Sequence, residues 1–146
     1  MRRILGVFLL SVFFALAPGI SAQGLPGDRP GDSGSGFALG LNYPNPFNPE
    51  TRIPFELFED LFSDGGTAIV SVRIFNVLTQ FIASPTALNH PAGQAPLIDL
   101  EYTSPGRYVA YWDGRDQAGR EVASGIYFVQ FTVNGLRQMM RMYVAK

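Results

Sequence analysis

The stretch Ile126-Tyr127-Phe128-Val129-Gln130-Phe131-Thr132-Val133-Asn134-Gly135, continuing as Leu136-Arg137-Gln138-Met139-Met140-Arg141-Met142-Tyr143-Val144, reads as a β-hairpin. Tyr127, Val129, Phe131 and Val133 alternate with Phe128, Gln130 and Thr132, the period of two that sends successive side chains to opposite faces of a sheet. Asn134-Gly135 supplies two residues that tolerate positive φ, which a two-residue hairpin turn requires. In the returning strand Met140, Met142 and Val144 oppose Arg137, Met139, Arg141 and Tyr143.

The same period recurs upstream. Tyr108, Ala110 and Trp112 face one way and Val109 and Tyr111 the other, while Ala68, Val70, Val72 and Ile74 form an inward set against Ile69, Ser71, Arg73 and Phe75. Ile98, Leu100 and Tyr102 are expected on one face of a strand, alternating with Leu97, Asp99 and Glu101 and closed by the turn Ser104-Pro105-Gly106. Ile53, Phe55 and Leu57 form another strand, expected to be an edge or entry strand because Pro54 lacks the amide that a central strand donates. A strand is expected to start at Phe81-Ile82-Ala83, residues 84–96 read as loop, and residues 113–121, with Gly114 and Gly119, as a tight hairpin connection. The stretch from Phe55 to Phe62 also admits a short helical turn, bounded by Pro54 and Gly65-Gly66. Six or seven short strands at close spacing predict an all-β antiparallel sandwich.

Composition agrees. Of 146 residues, 47% are hydrophobic and 16% charged, with 16 Gly and 11 Pro, which suits strands punctuated by turns better than a helical bundle. No cysteine is present, which excludes disulfides, thiol chemistry and thiolate metal sites.

Residues 1–22 follow the plan of a cleavable secretory signal: Arg2 and Arg3, an apolar run over residues 4–17, then Ile20-Ser21-Ala22, with cleavage expected after Ala22. The run is short for a membrane span and no basic stop-transfer cluster follows it, so no span is expected after cleavage. Losing Arg2 and Arg3 leaves an acidic excess, with none of the clustered basic charge that nucleic acid demands. Residues 23–38 are dominated by Gly, Pro, Ser and Asp and read as a flexible linker to a domain over residues 39–146. Within the linker Gly31-Asp32-Ser33-Gly34 spells the surroundings of a chymotrypsin-type nucleophile. A serine in a flexible leader, with His90 the sole histidine of the chain, has no rigid triad to join.

Leu41-Asn42-Tyr43-Pro44-Asn45-Pro46-Phe47-Asn48-Pro49-Glu50-Thr51 resembles the opening of C-terminal sorting domains of the type 9 secretion system and of the related immunoglobulin-like domain of the flagellar hook-capping protein. Val72-Arg73-Ile74-Phe75-Asn76-Val77-Leu78 resembles the second strand of that family, with Thr79 where a Gly is usual. Trp112-Asp113-Gly114-Arg115-Asp116 and the run from Gly119 through Gly125 to Tyr127-Phe128 are similar to its longest signature. The resemblance spans residues 39–146. It implies an immunoglobulin-like β-sandwich of about seven strands, exported to the periplasm, cell surface or extracellular space, where an outer-membrane machine reads it as an address. Its partners would then be secretion machinery or, on the alternative reading, a surface assembly in which the domain is a structural or adhesive module.

The motif residues also have physical roles. Pro44, Pro46 and Pro49 are expected to hold the lead-in segment extended. The Trp112 ring N–H and the Tyr127 hydroxyl need buried partners, and the Asp113 carboxylate can bond amides in its turn. Asp113, Asp116 and Glu121 are the densest acidic group, but Arg115 and Arg120 interleave them, so local ion pairs are expected rather than calcium. Glu59, Asp60 and Asp64 read as a solvated loop and His90 as a surface residue. No nucleophile, base and stabiliser can be assembled, so the sequence predicts no enzyme, no cofactor and no small-molecule substrate. The candidate recognition strand carries Arg137, Met139, Arg141, Tyr143 and Lys146, an edge with adaptable Met side chains and a basic fringe.

Overall fold

The structure is a computed structural model that describes residues 34–146; the expected signal peptide and residues 23–33 of the expected linker lie outside the described residues. In chain order the strands are β1 (Phe37–Leu39), β2 (Thr51–Leu57), β3 (Ala68–Asn76), β4 (Phe81–Ala83), β5 (Thr86–Ala87), β6 (Ala95–Pro96), β7 (Leu100–Tyr102), β8 (Gly106–Trp112), β9 (Gly125–Val133) and β10 (Leu136–Val144). A 3-10 turn, Glu59–Gly65, leads from β2 towards β3. One sheet runs β1-β2-β8-β5-β6 and the other β10-β9-β3-β4, with β7 also paired to β3. All pairings between the named strands are antiparallel, and the two sheets enclose a shared core, an immunoglobulin-like sandwich.

The period of two sets the core. Ala68, Val70, Val72 and Ile74 of β3 face Ile53, Phe55 and Leu57 of β2 across the sandwich, with Val129, Phe131 and Val133 of β9 beside them, all buried. Phe55 and Phe131 bridge the sheets at a centroid separation of 4.9 Å, and Phe37 meets Phe131 edge-on at 5.3 Å. Each such side chain contributes about 1.5–3 kcal/mol through removal from water. Phe37 is fully buried, so β1 draws residues 37 and 38 out of the expected linker and into the folded domain.

Several expectations need correction. β2 is not an edge strand; it pairs with β1 and β8. Pro54 is tolerated because it falls one step past the last paired residue of β1: its carbonyl accepts from the Gly40 amide at 2.8 Å, and a side chain at Gly40 would strike its ring. Residues 113–121 are not a hairpin connection, since β8 and β9 lie in different sheets and this loop carries the chain between them. Ile98 points outward and Leu97 inward, because the strand begins only after Asp99 at φ 46°. Residues 84–96 contain β5 and β6 and bury Pro85 and Ala87, so they form part of a sheet rather than a plain loop.

Asn134 and Gly135 adopt φ of 48° and 84°, the paired positive values of a two-residue hairpin turn. The Asn134 side chain does more than turn the chain. Its Oδ1 accepts from the Ile69 amide at 2.8 Å and its Nδ2 donates to the Thr67 carbonyl at 3.2 Å, so the hairpin tip is tied to the start of β3.

Candidate functional site

The lead-in segment, residues 40–50, is a strap across one end of the sandwich. It is a series of bends between two bridges, not the extended stretch expected from its prolines. The bends turn Phe47 into the core while its backbone stays on the edge of β10. Phe47 is fully buried and meets the Trp112 ring edge-on at 5.4 Å; Trp112 in turn meets Tyr127 at 5.7 Å. Asn42 and Thr51, both buried, fix the strap's root. Asn42 Nδ2 donates to Thr51 Oγ1 at 3.1 Å and to the Pro44 carbonyl at 3.2 Å, and Thr51 Oγ1 donates to the same carbonyl at 3.0 Å. Tyr43, Pro44, Asn45, Pro46, Asn48 and Pro49 are exposed around them.

The Trp112 turn closes against the strap. Trp112 Nε1 donates to the Arg115 carbonyl at 2.9 Å, and Asp113 Oδ1 accepts from the Arg115 amide at 3.0 Å. Gly114 sits at φ 73°, and a Cβ there would lie 2.1 Å from the Pro49 carbonyl oxygen, so no other residue fits this contact. Across the sandwich end, Tyr127 donates its hydroxyl to the Ala123 carbonyl at 2.8 Å, and burial raises its pKa above the ordinary tyrosine value. Gly119 and Gly125 both adopt positive φ in open space. The motif residues Phe47, Trp112, Asp113, Gly114 and Tyr127 thus meet in one place, as a clamp rather than a reaction centre.

The acidic residues of this loop are engaged one by one. Asp116 pairs with Arg120 at 2.9 Å and accepts the amides of Ala118 and Arg120; the Arg120 amide is the largest cause holding its carboxyl below the usual range. Glu121 lies between Lys146 at 3.1 Å and Arg115 at 3.4 Å, and the Lys146 hydrogen bond is the largest cause of its lowered pKa. Among the described residues no three His, Asp or Glu side chains are grouped to hold a metal ion.

β10 forms one edge of its sheet, and the structure divides that edge in two. At the far end the strap covers it: Phe47 donates its amide to the Tyr143 carbonyl, Ala145 donates to the Phe47 carbonyl, both at 3.0 Å, and Tyr143 donates to Asn45 Oδ1 at 3.1 Å. Backbone polarity alternates along a strand, so Arg137, Met139 and Arg141 direct their amides and carbonyls to the same side as Tyr143. There no partner meets them among the described residues. The side chains of Arg137, Met139, Arg141 and Tyr143 share the outer face, with the Arg141 guanidinium 5.5 Å from the Tyr143 ring centre. Lys146 departs from this group: its ammonium belongs to Glu121 and its amide to Ser124 Oγ at 3.1 Å.

Three side-chain amides escaped the sequence reading because each substitutes for a missing strand. Gln138 Oε1 accepts from the Leu39 amide at 3.0 Å and its Nε2 reaches the Phe37 carbonyl, stitching β10 to β1 of the other sheet. Asn89 accepts from the Val109 amide at 2.9 Å and donates to the Arg107 carbonyl, covering part of β8. Asn134 does the same for β3. A lone polar residue where the period demands an apolar one, as at Gln138 between Leu136 and Met140, was the available signal. His90 is half-buried: Nδ1 accepts from the Ala92 amide, which leaves Nε2 to donate to the Glu101 carbonyl at 2.7 Å, and its ring meets Tyr102 at 4.7 Å. It fastens the 84–96 segment to β7 and is more than a surface residue.

No family model matches the chain. No curated protein matches it. Among solved structures it is similar to PorZ, an essential bacterial surface component of the type-IX secretion system of Porphyromonas gingivalis, with 20% identity and a TM-score of 0.41, over 73% of this chain and 11% of that one. Among the described residues no helix is long and apolar enough to cross a membrane.

Proposed function

We propose that this chain is a non-catalytic, exported immunoglobulin-like module that serves as a secretion address, read through β10 by an outer-membrane machine of the type 9 kind. The observation that carries the reading is the divided edge of β10: the half at Tyr143 is closed by the strap, and the half from Arg137 to Arg141 offers backbone groups with no partner among the described residues. An open edge recognises an extended partner by strand addition, with main-chain hydrogen bonds for affinity and alternate side chains for selectivity. The strap limits how far such a partner can run. The motif resemblance over residues 41–51, 72–78 and 112–128 supports the same reading, and the early Arg2-Arg3 and apolar run supply the first membrane crossing.

The test places a reporter after Gln23 of the full chain, in a host that carries the secretion machine. Deleting residues 137–146 is a poor probe, because it strips the buried Met142 and Val144 from the core. Met139→Pro removes one outward amide from an edge position where proline is tolerated and leaves the core intact. The reporter is expected to reach the surface with the native chain and to remain in the periplasm with Met139→Pro while the domain stays folded. Equal surface display of both, with folding verified by circular dichroism, removes the sorting role and leaves a structural or adhesive module.

A further inference from the structure

The outer face of the β3-β9-β10 sheet is unlike the rest of the surface. Its register places Phe81, Phe75, Phe128 and Arg141 in one rung across four strands. The next rung is Arg73, Gln130 and Met139, and Arg137 closes the one beyond. Phe75 and Phe128 are half-buried between their neighbours, and Phe75 meets Phe81 at 6.0 Å. Arg73, Arg137 and Arg141 are exposed and form no ion pair among the described residues, whereas Arg107, Arg115 and Arg120 each have a carboxylate partner. The one carboxylate bonded to these rungs is Asp99, at the far rim on Ser71.

We infer that this face docks a protein partner whose surface is acidic with an apolar centre. Half-buried aromatic side chains with Met and Arg, and no Lys or Glu, are the composition that marks the core of a protein interface. Strand geometry sets Arg137 and Arg141 about 14 Å apart along β10 and Arg73 about 10 Å away across the sheet. That spacing is too wide for one phosphate to be shared and suits separate carboxylates on an extended surface. Phe75 and Phe128 are half-buried between their neighbours and leave little apolar surface to enter acyl chains, which disfavours a lipid surface. A second copy using the same face would set arginine against arginine, which costs affinity. The inference extends the site beyond the β10 edge of the reading above and rests on residues of β3 and β9 that take no part in that edge.

The test measures binding of the full chain to a random copolymer of glutamate and tyrosine, with a lysine and tyrosine copolymer and phosphatidylglycerol vesicles as further arms. The acidic copolymer is expected to bind and to shift the amide resonances of Arg73, Phe75, Phe128, Gln130 and Met139. Arg73→Glu should weaken it about tenfold, equivalent to about 1.4 kcal/mol, while Arg107→Glu on the opposite sheet leaves it unchanged. Binding to vesicles alone, shifts confined to the Arg107 sheet, indifference to Arg73→Glu, or self-association in place of copolymer binding each overturns the inference. Arg73→Glu leaves the backbone edge of β10 intact and Met139→Pro leaves Arg73 in place. Failure of the face and failure of the edge are therefore read by different variants.

Discussion

One strand edge, two fates: along β10 the half near Tyr143 is strapped and its neighbour from Arg137 to Arg141 is bare. The strapped half is closed by a segment that inserts Phe47 against Trp112, so its backbone bonds are backed by buried aromatic area. The bare half has only its bonds to β9 and a side-chain stitch from Gln138 to β1. An exposed edge invites pairing with other chains, and charged side chains are a usual means of restraining it. Here the restraint is Arg137 and Arg141, neither of which has a carboxylate partner among the described residues.

The difference can be broken from the strapped side. Phe47→Ala leaves a cavity beside Trp112 and should cost about 3–5 kcal/mol in denaturant unfolding, whereas Met139→Ala on the bare half should fall within about 0.5 kcal/mol. A comparable loss in both would mean that the strap contributes nothing the open edge lacks. Gly114→Ala attacks the same clamp through its backbone, since the new Cβ meets the Pro49 carbonyl and positive φ costs a further penalty. A loss of about 2 kcal/mol or more is expected, with the Tyr143 and Ala145 amides gaining hydrogen exchange and those of β3 unchanged.

The smallest effect is acid. The carboxyl of Glu121 is held below its ordinary value by Lys146 first and Arg115 after it, so its contribution is complete above the ordinary glutamate range and lost as pH falls through the lowered folded value. The Lys146 end should loosen under acid while the Arg137 to Arg141 half, which has no carboxylate partner among the described residues, keeps its spectrum. Equal pH response along β10 in proton NMR would contradict this.

Most of the sandwich was legible because its long strands keep a strict period of two: every inward residue expected in β3, β8 and β9 is buried. The turn at Asn134-Gly135 and the hydrogen-bonding needs of Trp112 and Tyr127 were legible for the same local reason. What escaped depended on partners distant in sequence. Pro54 could not be placed without knowing where β1 ends, and the 113–121 loop spells a tight connection whether it joins one sheet or two. Lys146 was grouped with its strand neighbours, yet Glu121 claims it from across the loop. The outer face of β3-β9-β10 was invisible as a unit, since Arg73 and Arg141 come together only through register.

Asn134-Gly135 has one consequence of a chemical kind. A glycine after asparagine leaves its nitrogen free to attack the side-chain amide, which loses ammonia and closes a succinimide; water then opens the ring to isoaspartate or aspartate and slowly ages a protein. In the folded chain that amide is occupied on both sides, by the Ile69 amide and the Thr67 carbonyl. Folding thus shelters the bond, and an unfolded chain loses that shelter. Aspartate at this position would lack the donor to Thr67, so a chain that ages before it folds carries a permanent defect at the tip of its longest hairpin.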